Sequence, residues 1–173
     1  MGVVGLGGLG HMAVKLAAAM GADVTVISRS GLKKADAVAL GADRLLVSTD
    51  QGAMAKAAST FDLIIDTVPV KHDINPYTPL LDLDGTLVLV GQIGPLAEPS
   101  TVPLLLGRRR IAGSLIGGLA ETQKMLDFCA QNGVLPDCEM IRMDQIGEAF
   151  ERLEGADVRY RFVVDMSSLE AGA

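Results

Sequence analysis

Gly2-Val3-Val4-Gly5-Leu6-Gly7-Gly8-Leu9-Gly10-His11, at the start of the 173-residue chain, is the stretch that decides the fold. Gly2-Val3-Val4 reads as the stub of a strand. From Leu9 onward, Met12, Ala13, Leu16, Ala17 and Met20 recur at the spacing of one helix face. A GxGxxG pattern is weak alone, but between a strand and a helix it has the context that gives it meaning. Gly5 permits the tight turn, Gly7 lets backbone approach a diphosphate, and Gly10 lets the helix pack on the strand. Gly5, Leu6, Gly7, Gly8, Leu9 and Gly10 are therefore the expected diphosphate cradle, at the positive end of a helix. His11 can hydrogen-bond a phosphate, cap the helix or face solvent.

The residue ending the second strand separates NAD from NADP. A carboxylate there binds the ribose 2′-hydroxyl and repels a 2′-phosphate. Eighteen residues after Gly10 stands Ser28, followed by Arg29, Ser30 and Lys33. Two hydroxyls and two cations suit a phosphate monoester, so NADP is expected over NAD.

Outward from this start, short apolar runs alternate with helix-period segments. Strands are expected at 23–27, 44–47, 61–68, 85–90 and 110–116, and helices at 33–40, 52–59 and 75–83. Beyond a soft boundary at 117–118 come a helix over 121–132 with Met125, Phe128 and Cys129 inward, and a strand over 139–143. A helix capped by Asp144 with Ile146, Ala149, Phe150 and Leu153 inward follows, then a strand over 160–165 and a frayed tail over 167–173. Strand–helix alternation predicts an α/β fold, a doubly wound parallel sheet of the Rossmann type. Residues 1–117 form its core and 118–173 a helix–strand–helix–strand extension. Ligands of such sheets sit at the carboxyl ends of strands. Thr67 and Val68 are thus expected beside the nicotinamide ribose, Gly91 leaves room for the cofactor backbone, and Ser114, Leu115 and Ile116 are expected by the carboxamide. Asp66 reads as a structural carboxylate, His72 as a loop residue and Arg108-Arg109-Arg110 as a solvated rim.

Composition narrows the classes further. A net charge of −6 argues against nucleic acid as a partner. Any phosphate must then be held by local donors. Cys129 and Cys138 lack CxxC spacing and make neither a disulfide framework nor a zinc site, which suggests a reducing cytoplasm. No apolar run reaches the ~18 residues that span a bilayer, so no membrane is expected. The opening in mid-strand reads as a truncation or the C-terminal part of a longer protein.

Several stretches carry a resemblance. They are Gly5 to Lys15, Ser28-Arg29-Ser30 with Lys33, Gly41-Ala42-Asp43, Ile65-Asp66-Thr67-Val68, Gly113-Ser114 with Ile116-Gly117-Gly118 and Glu121-Thr122, and Asp157 to Val163. Together they resemble the cinnamyl alcohol dehydrogenase-like branch of the zinc-dependent medium-chain dehydrogenases. The resemblance implies NADP(H)-dependent interconversion of primary alcohols and aldehydes. In that family a zinc ion polarises the substrate oxygen and hydride passes to or from the nicotinamide. It also implies a homodimer paired through the edge strand 110–116. The family's zinc ligands lie in an N-terminal GroES-like domain, on which residues 118–173 would partly pack, so no residue here is assigned a catalytic or metal-binding role. Arg29 replaces a small residue commoner in the family. The competing readings are a standalone, non-catalytic NADPH-binding module and a zinc-free quinone reductase relative.

Overall fold

The computed structural model describes residues 1–92, 94–155 and 157–172; residue 173, the last of the expected extension, lies outside them. The chain divides into two compact units, residues 1–134 and 135–173.

In the first unit, β1 (Gly2–Val4), β2 (Thr25–Ser28), β3 (Arg44–Val47), β4 (Phe61–Asp66), β5 (Leu81–Leu89) and β6 (Arg110–Gly113) form one sheet in the order β3-β2-β1-β4-β5-β6. Every neighbouring pair is parallel. The central strands are apolar because a parallel sheet is covered on both faces. Val3, Val26 and Ile64 are wholly buried and Ile27 nearly so. The strand order reverses at β1, between β2 on one side and β4 on the other, and it is at the carboxyl ends beside such a reversal that a doubly wound sheet offers a ligand crevice.

The covering helices are α1 (Gly10–Ala19), α2 (Lys34–Ala39), α3 (Gln51–Lys56), α4 (Val102–Gly107) and α5 (Leu119–Asn132). Gly21, at φ +83°, follows the last residue of α1's C-terminal cap, Met20. Asp50 caps α3 by accepting the Ala53 N–H at 3.0 Å. A 3₁₀ turn at Gly31–Lys33 leads into α2, which begins one residue after the expected Lys33.

Three expectations change here. The helix expected over 75–83 is absent. Asn75 instead ties its side chain to Asp73 and the Glu98 carbonyl, and Pro79 enters a single 3₁₀ turn at Thr78–Leu80. Leu80 and Leu81 are buried as a plug rather than as one stripe of a longer helix. β5 consequently starts early, at Leu81. Between the pairs Phe61↔Leu81 and Leu63↔Thr86, β4 advances two residues while β5 advances five. The excess bulges outward through Asp82, Leu83 and Asp84, with Asp84 at φ +62°. The edge strand stops at Gly113 rather than 116, because its partner β5 ends at Leu89, opposite Gly113. Finally, α5 buries only Cys129 of its three expected inward residues; Phe128 is half-buried and Met125 is exposed. The helix α4 has no counterpart in the sequence reading.

In the second unit, β7 (Cys138–Arg142) and β8 (Arg161–Asp165) pair in parallel through α6 (Ile146–Glu154). Asp144 does not cap α6: a 3₁₀ turn over Met143–Gln145 intervenes, and its carboxylate pairs with Arg142. Of the expected stripe only Ala149 is buried, while Phe150 and Leu153 are exposed. The Arg152 guanidinium binds Glu139 at 2.7 Å and Asp157 at 3.3 Å and lies 4.7 Å over the Phe162 ring. The Arg159 N–H completes the cluster at Glu139, 3.0 Å away, and holds that carboxyl below its usual range, with Arg152 adding to the effect. A 3₁₀ segment, Met166–Gly172, stands where a frayed tail was expected.

Gly91, just beyond β5, lies so close to the backbone of Thr67 that a Cβ would overlap its carbonyl. Gly91→Ala should cost about 1–3 kcal/mol of folding stability through overpacking, read as a lower denaturant midpoint. Gly113→Ala, where a Cβ meets nothing within 4 Å, should leave the midpoint in place.

Candidate functional site

The crevice is built on the glycine turn. The Gly5 N–H donates to the Ile27 carbonyl at 3.1 Å, which ties the end of β1 to β2. Gly5 then turns at φ +87°, a conformation that suits glycine. A Cβ on Gly10 would overlap the Gly5 carbonyl, so α1 sits hard against the turn. At Gly7 the opposite holds: a Cβ would meet no atom within 4 Å. The first and third glycines are required by the protein itself, whereas the second leaves open space.

Leu6 is buried and anchors the turn, while Gly7 and Leu9 are exposed and Gly8 is half-buried. No side chain caps α1 at Leu9, and its first turn carries no acidic residue. The amide end of a ten-residue helix therefore faces the crevice without a carboxylate to neutralise it. His11 is wholly buried, not solvated. Its Nδ1 lies 3.1 Å from the Gly7 carbonyl, which also accepts the His11 backbone N–H at 3.0 Å. A carbonyl can only accept, so Nδ1 carries the proton and braces the turn from below.

The second corner lies at the end of β2. Ser28 is half-buried there, with Arg29 and Ser30 exposed beyond it. Lys33 reaches back so that its ammonium donates to the Leu6 carbonyl at 3.2 Å. One hydrogen bond thus joins the basic corner to the glycine turn, 27 residues apart in sequence.

At the end of β4, Thr67 is buried and its hydroxyl donates to the Val4 carbonyl at 2.8 Å. The Val68 N–H donates to Asp66 Oδ1 at 3.0 Å, and Val68 packs half-buried against the core. The N–H groups of Val90 and Gly91 both reach the Asp66 carbonyl, at 3.0 and 3.2 Å. Gly91 is thus glycine because β4 and β5 converge. At the third strand end, Ser114 donates its N–H to the Leu89 carbonyl at 3.1 Å, and Leu115 and Ile116 are exposed. The expected positions fall in two groups: Gly5 to Gly10, Ser28 to Lys33, Thr67, Val68 and Gly91 are linked by direct bonds or packing, while Ser114 is tied to Leu89 and Leu115 and Ile116 stand exposed beyond it.

The sequence reading did not join Asp66 to His72. Asp66 is almost wholly buried, and its Oδ2 lies 2.7 Å from His72 Nε2; His72 Nδ1 meets the Val70 carbonyl at 2.9 Å. Six residues across an aperiodic loop give no pattern to read, so no sequence signal marks this pair. Tyr77, buried nearby, has its phenol pushed above the usual tyrosine range by burial and then by the charge of Asp66. A hydrogen bond with the Ser48 side chain and the charge of Arg29 act the other way.

A cleft of about 470 Å³ opens at the other end of the sheet, lined by Asp23, Arg44, Lys56 and Asp62 among others. It lies at the amino ends of the strands, and Arg44 there is committed to Asp23. The carboxyl-end crevice is the better ligand site on the topology of the sheet. Among the described residues no group of three or more His, Cys, Asp or Glu side chains could hold a metal ion. No helix among them is long and apolar enough to cross a membrane.

Residues 8–131 match the family described as zinc-binding dehydrogenase. A probable cinnamyl alcohol dehydrogenase of Populus deltoides is 54% identical over 167 residues, covering 96% of this chain and 47% of that protein. A cinnamyl alcohol dehydrogenase structure from Sorghum bicolor superimposes with a TM-score of 0.91 at 50% identity, over 96% of this chain and 47% of its own. A Helicobacter pylori enzyme of the same description, complexed with NADP(H), gives a TM-score of 0.82 at 37% identity over 96% and 47%. The chain spans about half the length of the curated relatives it matches.

Two measurements test this geometry. Gly7→Ala should fold with an unchanged denaturant midpoint yet bind a dinucleotide at least about tenfold more weakly, a loss of roughly 1.4 kcal/mol, by calorimetric titration. Because burial raises the Tyr77 phenol, its contribution to stability is complete below the ordinary value of about 10. That contribution is lost as pH climbs through the raised folded value, since the unfolded chain ionises first. Urea midpoints of the wild type should fall over that alkaline window, and Tyr77→Phe should flatten the fall.

Proposed function

Since the chain belongs to the zinc-binding dehydrogenase family, we propose that it is the cofactor-binding part of an NADP(H)-dependent alcohol dehydrogenase or aldehyde reductase. The observation that carries this is the glycine turn: an uncapped, carboxylate-free helix end, open space at Gly7, and a basic corner joined to it by Lys33. A dinucleotide fits that arrangement, because the diphosphate needs amide donors and close backbone approach rather than a broad positive field.

In this reading Gly5 to Gly10 hold the diphosphate. Ser28, Arg29, Ser30 and Lys33 take the 2′-phosphate, the two cations supplying charge and Arg29 a planar fork. Thr67, Val68 and Gly91 line the nicotinamide ribose. Thr67 does so as a shaped wall, since its hydroxyl is engaged by Val4. Ser114, Leu115 and Ile116 offer backbone groups to the carboxamide. The bound nicotinamide would supply or accept a hydride from a primary alcohol–aldehyde pair.

The described residues do not fit a zinc site, so this chain's share of the reaction is to bind and orient the cofactor. The metal and the substrate pocket would belong to a partner domain, on which residues 118–173 partly pack. The NADP(H) complex of the Helicobacter pylori relative supports the choice of cofactor class. Preference for NADP over NAD rests on Ser28 standing where a carboxylate would select NAD. The open edge of the sheet at β6 supports pairing into a homodimer, and two free thiols accord with a reducing cytoplasm.

Titration with NADPH and NADH tests the proposal. Wild type should prefer NADPH, and Ser28→Asp should weaken NADPH far more than NADH. Equal loss for both would remove the 2′-phosphate assignment.

A further inference from the structure

The basic corner is a short exposed segment, and exposed connections are mobile unless something holds them. What holds this one comes from the next strand. Immediately after β3, the Ser48 N–H donates to the Ser28 carbonyl at 2.8 Å, and the Thr49 hydroxyl donates to the Arg29 carbonyl at 3.0 Å. Two successive carbonyls of the corner are thus pinned by two successive residues 20 positions away. Ser30 continues in extended backbone, and Lys33 closes the segment on Leu6. Behind Ser48 stands buried Tyr77, whose phenol the Ser48 side chain draws back toward its ordinary value.

Thr49 is exposed, and at such a position most residue types are tolerated for folding. Its hydroxyl reaches across to Arg29 and makes a bond whose evident consequence is to fix that backbone. Ordering a loose phosphate-binding segment would be charged against affinity at the moment of binding. A segment ordered beforehand avoids that cost, and only a ligand that carries the 2′-phosphate gains from it.

We propose that Ser48 and Thr49 are positioning residues that set selectivity for the 2′-phosphorylated dinucleotide by fixing the backbone of Ser28 and Arg29. The proposal rests on the assignment of that corner to the 2′-phosphate. Neither residue needs to touch the ligand; both act through the segment they hold. Tyr77, beside Ser48, belongs with Val4, Ile64 and Leu80 to the main apolar cluster.

The test measures NADPH and NADH affinities of the full chain for wild type, Thr49→Val, Thr49→Ser and Ser48→Ala. Thr49→Val keeps the shape and removes the donor. It should lower the NADPH-to-NADH affinity ratio about three- to tenfold, the worth of one hydrogen bond, with NADH affinity unchanged. Thr49→Ser restores the hydroxyl and should restore the ratio. Ser48→Ala keeps the backbone donor to Ser28 and should lower the ratio by less. Equal weakening of both cofactors by Thr49→Val, or no change in the ratio, would overturn the proposal. Should wild type itself fail to prefer NADPH, the assignment of the corner falls and this inference falls with it. A wild type that prefers NADPH alongside a Thr49→Val variant of equal preference removes the inference alone.

Discussion

The contact on which the rest depends is the seating of α1 against the β1 turn. The Gly10 Cα lies so close to the Gly5 carbonyl that no side chain could intervene. The Val4 carbonyl, one residue earlier, accepts both the N–H and the hydroxyl of Thr67. Helix, first strand and fourth strand therefore meet within a few ångströms, at the place where the strand order reverses. Any loosening there would move the amide end of α1 relative to the ends of β2 and β4. The crevice exists because these three backbones are locked together.

Around that lock, the protein relies on short-range donors. A chain of net charge −6 has no general attraction for a polyanion. Helix amides, one lysine and a few hydroxyls act over one or two bond lengths instead, in a space from which carboxylates are kept away or engaged. Asp66 is the exception that shows how this is managed. It stands buried at the end of β4, but its two oxygens are occupied by the Val68 N–H and His72. Lys33 and Thr49 add the lateral ties, so that three strand ends share one hydrogen-bonded rim.

The second unit follows the same logic with different means. Its parallel strands and single helix bury few side chains, and an ionic cluster of Arg152, Glu139 and Asp157 over Phe162 organises it. Arg152 and Glu139 are part-buried and Asp157 is exposed, and such pairs contribute modestly to stability. Their geometry nevertheless accounts for the Asp157 to Val163 stretch, whose residues supply a carboxylate, a backbone donor and a ring to one arginine and one glutamate.

The sequence by itself determined the α/β class, the glycine turn and the carboxylate-free end of β2. Each is written locally: glycines at fixed spacing, apolar runs of strand length, and hydroxyl and basic residues at a known offset. β3 falls on its expected residues, Arg44–Val47, for the same reason. Tertiary structure decided what depends on a partner distant in sequence. The helix read over 75–83 became a plug and an early strand because Phe61 was there to pair with Leu81. The strand ending at 116 was cut to 113 because β5 offered nothing beyond Leu89. Met125, Phe150 and Leu153 carry helix periodicity, yet periodicity states which face is apolar and not whether anything covers it. The pairings Asp66–His72, Lys33–Leu6 and Thr49–Arg29 were invisible for the same physical cause: a hydrogen bond between loops depends on where the fold brings them, and no spacing along the chain records that.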